Sequence, residues 1–262
     1  MQHRARVAQA RPPSKLLLLA EARVFAEMAF GIASGPILMT APRGDGHPVL
    51  VLPGFLVSDR STEILRSSLS ALGHDVRGWR LGRNLGGMGR MRGILQRLVG
   101  DIHRETGRTV SLVGWSLGGS YARDLALSIP KSVRNVVTLG SPLNEHVRAN
   151  NVGRLYDHIS GESVDDMDVK QLAALAGELP VPSTSIYSRT DGVVSWRASI
   201  IHENARAENI EVFGASHLGL GAHPAVMWAI ADRLAQPEAT FAPFKRGGPF
   251  ALTYANPGAH NA

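Results

Sequence analysis

The chain predicts an α/β fold: a mostly parallel sheet of about six strands, with helices on both faces and a small inserted cap. Three observations carry that prediction. From His47 onward, short β-branched runs alternate with helical patterns, the signature of βαβ units. Gly114–Gly119 lies between a strand pattern and a helix pattern, where a sharp βα turn belongs. Later strand patterns end in polar loops, the edge on which open α/β sheets build sites. Composition agrees, since 44% hydrophobic and 19% charged residues over 262 positions suffice for one large core. The absence of cysteine excludes disulfides, thiolate metal sites and cysteine nucleophiles.

Taken in order, the first element is a helix. Leu16–Met39 is apolar but broken by Glu21, Arg23 and Glu27, so it does not read as a membrane span. The run Leu16–Ala20 is too short for a signal peptide, and no cleavage pattern follows it. Leu17, Leu18, Ala22, Phe25 and Met28–Ala29 share one stripe at helical spacing, preceded by Arg4, Arg6, Arg11 and Lys15. Such a stripe calls for cover by the core, a second subunit or a lipid interface, expected in that order. The compartment expected is cytoplasmic, with Leu16–Ile32 as the candidate for peripheral membrane or dimer contact.

Strands are expected at Val49–Leu52, Asp75–Trp79, Val110–Val113, Asn135–Leu139, Thr184–Tyr187 and Ile210–Phe213. Helices are expected near Thr62–Leu72, Met91–Thr106, Leu117–Ser128 and Pro224–Leu234. Pro142 to Pro180 is far longer than a usual crossover loop and reads as a cap. Ser163 and Asp166 are spaced as a capping box for a helix whose apolar face is Val169, Leu172, Ala173 and Ala176. From Gln236 the chain is rich in Pro, Gly and Ala and is expected to be extended or disordered. The organisation is therefore an arm at 1–46, a core at 47–141 and 181–235, a cap at 142–180 and a tail at 236–262.

Net charge is +6, with Arg outnumbering Lys 24 to 4 and eight Arg between residues 77 and 108. Only Trp79 interleaves with them, and no nucleic-acid module signature is present, so this reads as a solvated face and no nucleic acid is expected as partner. The glycine-rich loop Leu81–Gly89 lacks the Gly-Lys-Ser/Thr ending of a phosphate cradle and reads as a mobile rim loop. No His or acidic cluster has metal-ligand spacing, so neither metal nor cofactor is expected.

Gly114-Trp115-Ser116-Leu117-Gly118 fits G-x-S-x-G. Flanked by a strand and a helix, it has the context of a nucleophile elbow, in which glycines two residues either side avoid clashes on a strained turn. A serine nucleophile needs a base, and the base an orienting acid. Asp191 follows the fifth strand pattern and His217 the sixth, on the edge that carries Ser116. His223 is the rival base, though Pro224 behind it marks a helix start. Asp165, Asp166 and Asp168 are rival acids in the cap.

With these residues in place, positions 47–235, roughly 70% of the chain, resemble the α/β-hydrolase superfamily, most nearly its compact bacterial esterases and lipases. The resemblance implies a Ser116–His217–Asp191 triad. It further implies an oxyanion hole from the backbone N–H groups of Phe55, in Leu52-Pro-Gly-Phe55, and Leu117. Many relatives have His-Gly where this chain has Pro53-Gly54, and the usual first two strands have no counterpart here. The implied activity is hydrolysis of a small-molecule or lipid carboxylic ester through an acyl-enzyme. Acyl transfer on the same triad and a non-catalytic binding role are the alternatives. Leu56, Val57, Trp115 and Met88 are the expected pocket residues.

Overall fold

A continuous apolar run such as Pro48–Leu52 makes a strand that must be covered on both faces. The computed structural model describes residues 10–162 and 169–258. Its sheet contains β1 (Pro48–Leu52), β2 (Asp75–Gly78), β3 (Val110–Trp115), β4 (Val133–Leu139), β5 (Ser183–Tyr187) and β6 (Ala207–Glu211). They lie in the order β2-β1-β3-β4-β5-β6, and every pairing is parallel. In register, β3 and β4 pair Gly114 with Thr138 and Trp115 with Leu139, so both chains leave the sheet at one level.

Side-chain alternation divides the core between two faces. Val49, Val51, Val113, Trp115, Val137 and Leu139 point to one. That face is covered by α3 (Gly35–Leu38), α4 (Glu63–Ala71), α9 (Pro224–Leu234) and the tail. Leu50, Leu52, Leu112 and Val136 point to the other, under α5 (Met88–Thr106), α6 (Leu117–Ser128) and α8 (Val169–Ala176). Between β4 and β5 lie α7 (Gly153–Ser160) and α8. The capping box expected from Ser163 and Asp166 lies outside the described residues.

Three expectations are corrected. The sixth strand is Ala207–Glu211 rather than Ile210–Phe213. Its carboxylates broke the apolar pattern, yet they are buried because they are paired: Glu208 with Arg233 at 2.6 Å and Glu211 with Arg189 at 3.2 Å. The tail, with a 3-10 segment at Gly248–Thr253, is packed on the core. Phe244 donates its N–H to the Glu208 carboxylate, its ring meets Tyr254 edge to face at 4.8 Å, and the Tyr254 hydroxyl donates to Ala225 O.

The N-terminal stripe is the third correction. The segment forms α1 (Lys15–Ala20), a 3-10 turn at Glu21–Arg23 and α2 (Val24–Ala33), but the wrong face was expected inside. Leu18, Ala22, Phe25, Met28 and Ala29 are exposed, as are Leu16, Leu19, Phe30 and Ile32. The buried side consists of Glu27, Gly31, Ser34 and Leu38 at helical spacing, joined by Glu21 across the 3-10 turn. It docks through charge-assisted hydrogen bonds and close backbone approach rather than apolar packing: a Cβ on Gly31 would sit 2.1 Å from Ala222 O. Among the described residues no helix is long and apolar enough to cross a membrane.

Candidate active site

β3 delivers the chain to the sheet's carboxyl edge, and α6 starts one residue later. Ser116 therefore makes the whole reversal, at φ 54° and ψ −124°. A non-glycine residue there is strained by about 1–3 kcal/mol and persists only where its surroundings hold it. The Ser116 N–H donates to Leu139 O at 2.8 Å, fixing the turn to the end of β4. The flanking glycines are needed for space. A Cβ on Gly114 would lie 2.4 Å from Gly118 O, and one on Gly118 would lie 2.2 Å from Leu52 O. Leu117 opens α6, so its N–H has no intrahelical acceptor and sits at the helix's positive end.

The acid and the base follow the ends of β5 and β6. Asp191 Oδ1 accepts the N–H groups of Val193 and Val194 at 2.8 and 2.7 Å. Its Oδ2 pairs with His217 Nδ1 at 2.6 Å. Both side chains are almost wholly buried. Burial alone would depress the pKa of His217; the Asp191 charge and hydrogen bond, joined by the Glu21 charge, outweigh it and hold it above the usual histidine value. Gly140, at φ 53°, makes the approach possible: a Cβ there would stand 2.9 Å from Asp191 Oδ2 and 3.1 Å from His217 Nδ1. Trp115 Nε1 donates to His217 O at 3.0 Å, so the residue before the nucleophile holds the histidine loop. The structure thus brings Asp191 and His217 into direct contact. It places Ser116 at the end of β3, one strand removed from β5 on the same sheet edge. No hydrogen bond joins Ser116 to His217 among the described residues, and such bonds often close only with substrate bound.

Ser116 opens into an apolar cleft enclosing about 610 Å³, counted to its open mouth. Phe55, Met88, Leu117, Val147, Tyr156 and Leu175 are among the residues that line it. Phe55 and Leu117, the expected oxyanion donors, therefore both border the nucleophile's cleft. Of the four expected pocket residues Met88 lines it, while Leu56, Val57 and Trp115 do not. Strand alternation is the reason for Trp115, whose ring lies among the core residues of the opposite sheet face. Val57 packs against that same cluster, and Leu56 turns at φ 64° to donate its N–H to Asn84 O.

Asn84 was not legible as a site residue. It is fully buried in the loop expected to be a mobile rim, and it knits the Pro53–Val57 turn to α6. Its Nδ2 donates to Pro53 O at 2.9 Å, while its Oδ1 accepts from Gly86 N–H and the Tyr121 hydroxyl. Backbone bonds from Asn84 N–H to Val57 O and from Leu56 N–H to Asn84 O complete the attachment. Glu21 and Glu27 were missed as well. Glu21 accepts from Gly192, His217 and Leu218 N–H, and Glu27 from Ser216 N–H and Oγ–H. Burial raises the Glu27 pKa, opposed by the bonds from Ser216. Glu27 shares a helical face with Gly31 and Leu38, but Glu21 lies six residues earlier and joins that side only through the 3-10 turn at Glu21–Arg23.

His223 occupies the N-cap position of α9 without a side-chain capping bond, and burial pushes its pKa down to about 4. Asp165, Asp166 and Asp168 lie outside the described residues. Among the described residues no group of three or more His, Asp or Glu could hold a metal ion.

No family model matches the chain, and no curated protein does. Solved structures do. A monoacylglycerol lipase from Paleococcus ferrophilus is similar at 13% identity and TM-score 0.53, over 74% of this chain and 96% of that one. A Bacillus licheniformis lipase in its mature form is similar at 15% identity and TM-score 0.53, over 75% and 93%. An Aspergillus fumigatus lipase B reaches TM-score 0.59 at 16% identity, over 75% of this chain and 54% of that longer one. At such identities the likeness is one of fold. The chain has the α/β-hydrolase fold, with its parallel six-stranded sheet and flanking helices.

Proposed function

We propose that the protein hydrolyses carboxylic esters through an acyl-enzyme, with Ser116 as nucleophile, His217 as base and Asp191 as orienting acid. The observation that carries this reading is the buried 2.6 Å Asp191–His217 pair on the strand edge next to the strained Ser116 elbow. Asp191 fixes the imidazole with Nδ1 protonated, leaving Nε2 to take the Ser116 proton as Oγ attacks the ester carbonyl. Negative charge gathers on the carbonyl oxygen, where the N–H groups of Phe55 and Leu117 are the donors we assign. Collapse expels the alcohol, which receives the proton from His217. Water, deprotonated by the same imidazole, then releases the acid.

The apolar lining of the cleft favours a hydrophobic acyl or alcohol group. The lipases that share the fold act as context for that choice, and the bond cleaved is taken to be an ester on those grounds.

The test is a fluorophosphonate probe with peptide mapping, combined with turnover of p-nitrophenyl esters of increasing chain length. Labelling at Ser116 and its loss in Ser116→Ala are expected, with turnover in that variant reduced by about 10⁵-fold or more. Near-wild-type turnover by Ser116→Ala would remove the mechanism.

A further inference from the structure

We infer that Glu21 is a positioning residue of the proposed reaction, its carboxylate tying the loop that carries Asp191 to the loop that carries His217. The inference rests on the triad reading above and extends it to a segment outside the sheet.

The geometry is specific to a carboxylate. Glu21 Oε1 accepts Gly192 N–H at 2.7 Å and His217 N–H at 2.9 Å, while Oε2 accepts Leu218 N–H at 2.8 Å. Gly192 adjoins the acid and His217 is the base itself, so one buried side chain spans both partners of the 2.6 Å pair. Three donors converge on two oxygens. An amide in place of the carboxylate would turn an N–H₂ toward at least one of those donors and break the set.

Two neighbours extend the grip. Arg23 Nη2 donates to Thr190 O at 2.7 Å and its Nε to Gly214 O at 3.3 Å, reaching the same two loops. Glu27 accepts Ser216 N–H at 3.0 Å and Ser216 Oγ–H at 2.9 Å, next to the base. Close backbone contact seats the segment, since a Cβ on Gly192 would stand 2.3 Å from Leu17 O. The glutamates at 21 and 27 thus explain how a helix that exposes its apolar side chains is nonetheless anchored.

The ionisable groups around His217 are the Asp191 carboxylate on its ring, Glu21 on its backbone, Glu27 on the preceding residue and Arg23 on the flanking carbonyls. Removing the Glu21 charge therefore lowers the pH at which the imidazole loses its proton, a change that the charge-keeping Glu21→Asp variant does not produce.

The experiment measures the rate of fluorophosphonate labelling of Ser116 in the full chain, across the pH range that titrates histidine. It compares wild type, Glu21→Gln, Glu21→Asp and the outward-facing control Phe25→Ser. Glu21→Gln should label about 10- to 100-fold more slowly, with its acid midpoint displaced to lower pH. Glu21→Asp keeps the charge but falls a methylene short of spanning both loops, so its rate drops while its midpoint stays. Phe25→Ser should match wild type. If Glu21→Gln does not fold, the Glu21→Asp rate decides. Wild-type rates in folded Glu21 variants overturn the inference, and failure of both to fold reduces Glu21 to a structural anchor and overturns it too. Absence of any Ser116 labelling in wild type would instead refute the triad reading itself.

Discussion

Asn84→Ala is the substitution that most directly probes how the cleft's oxyanion side is built. The side chain makes three hydrogen bonds, to Pro53 O, Gly86 N–H and the Tyr121 hydroxyl, and is 0% exposed. Truncation strands a carbonyl, an amide and a phenol in the interior, each at about 1–3 kcal/mol unless water replaces the lost partner. The amide's departure leaves space near the size of one water, which could serve two of the three groups. With one of the three groups left unpaired, a loss of about 1–3 kcal/mol in unfolding free energy follows. The same change frees Pro53–Val57, and with it the Phe55 N–H, so ester turnover should fall by about 10²-fold, the scale of one oxyanion donor. Urea unfolding monitored by tryptophan fluorescence gives the first number, and initial rates on a p-nitrophenyl ester, under conditions where the variant is fully folded, give the second. A loss below about 1 kcal/mol with unchanged turnover would refute the reasoning, because the buried network would then carry neither stability nor geometry.

Other consequences can be read from single residues. Ser116→Gly should abolish ester turnover yet raise the melting temperature, since glycine accepts the φ of 54° without strain worth roughly 1 kcal/mol or more; an unchanged or lower melting temperature speaks against stored strain. Asp191→Asn should preserve the circular dichroism spectrum and cut turnover by about 10³- to 10⁴-fold through the wrong His217 tautomer, measured as kcat. In wild type, kcat/KM should decline toward acid with a midpoint above 6.5, because the folded pKa of His217 is raised and only its neutral form is a base; a midpoint below 6.5 would contradict the placement of Asp191 and Glu21. His74 and His223 are buried, and both are pushed down to about 4 from 6.5, so the unfolded chain takes up protons first. The stability that these two groups contribute should therefore be complete above about pH 6.5 and be lost between there and pH 4, by up to roughly 3 kcal/mol for each, as followed by urea midpoints at a series of pH values. The His217 contribution runs the other way, complete below 6.5 and lost as pH rises through its raised pKa.

Much of the molecule was legible before any coordinates. Periodicity alone determined the six-stranded α/β architecture, because a parallel strand buried on both faces must be a short apolar run and its crossover must be an amphipathic helix. The spacing of Gly114, Ser116 and Gly118 likewise determined a strained elbow, since the clash Gly114 avoids arises within six consecutive residues, whereas the clash Gly118 avoids, with Leu52 at the end of β1, is set by the sheet. Local chemistry of that kind is written in local sequence. What only the tertiary structure decided involves groups far apart in the chain. β6 hid behind Glu208 and Glu211, whose burial depends on Arg233 and Arg189. The tail packs because Glu208 and Ala225 await its N–H and hydroxyl groups. Trp115 was expected in a pocket and instead faces the opposite side of the sheet. Above all, the N-terminal helix turned its acids inward and its leucines outward. A hydrophobicity pattern assumes that burial means apolar burial, whereas here the converging N–H donors of Gly192, Ser216, His217 and Leu218, some 170 to 200 residues away, make carboxylates the better fit.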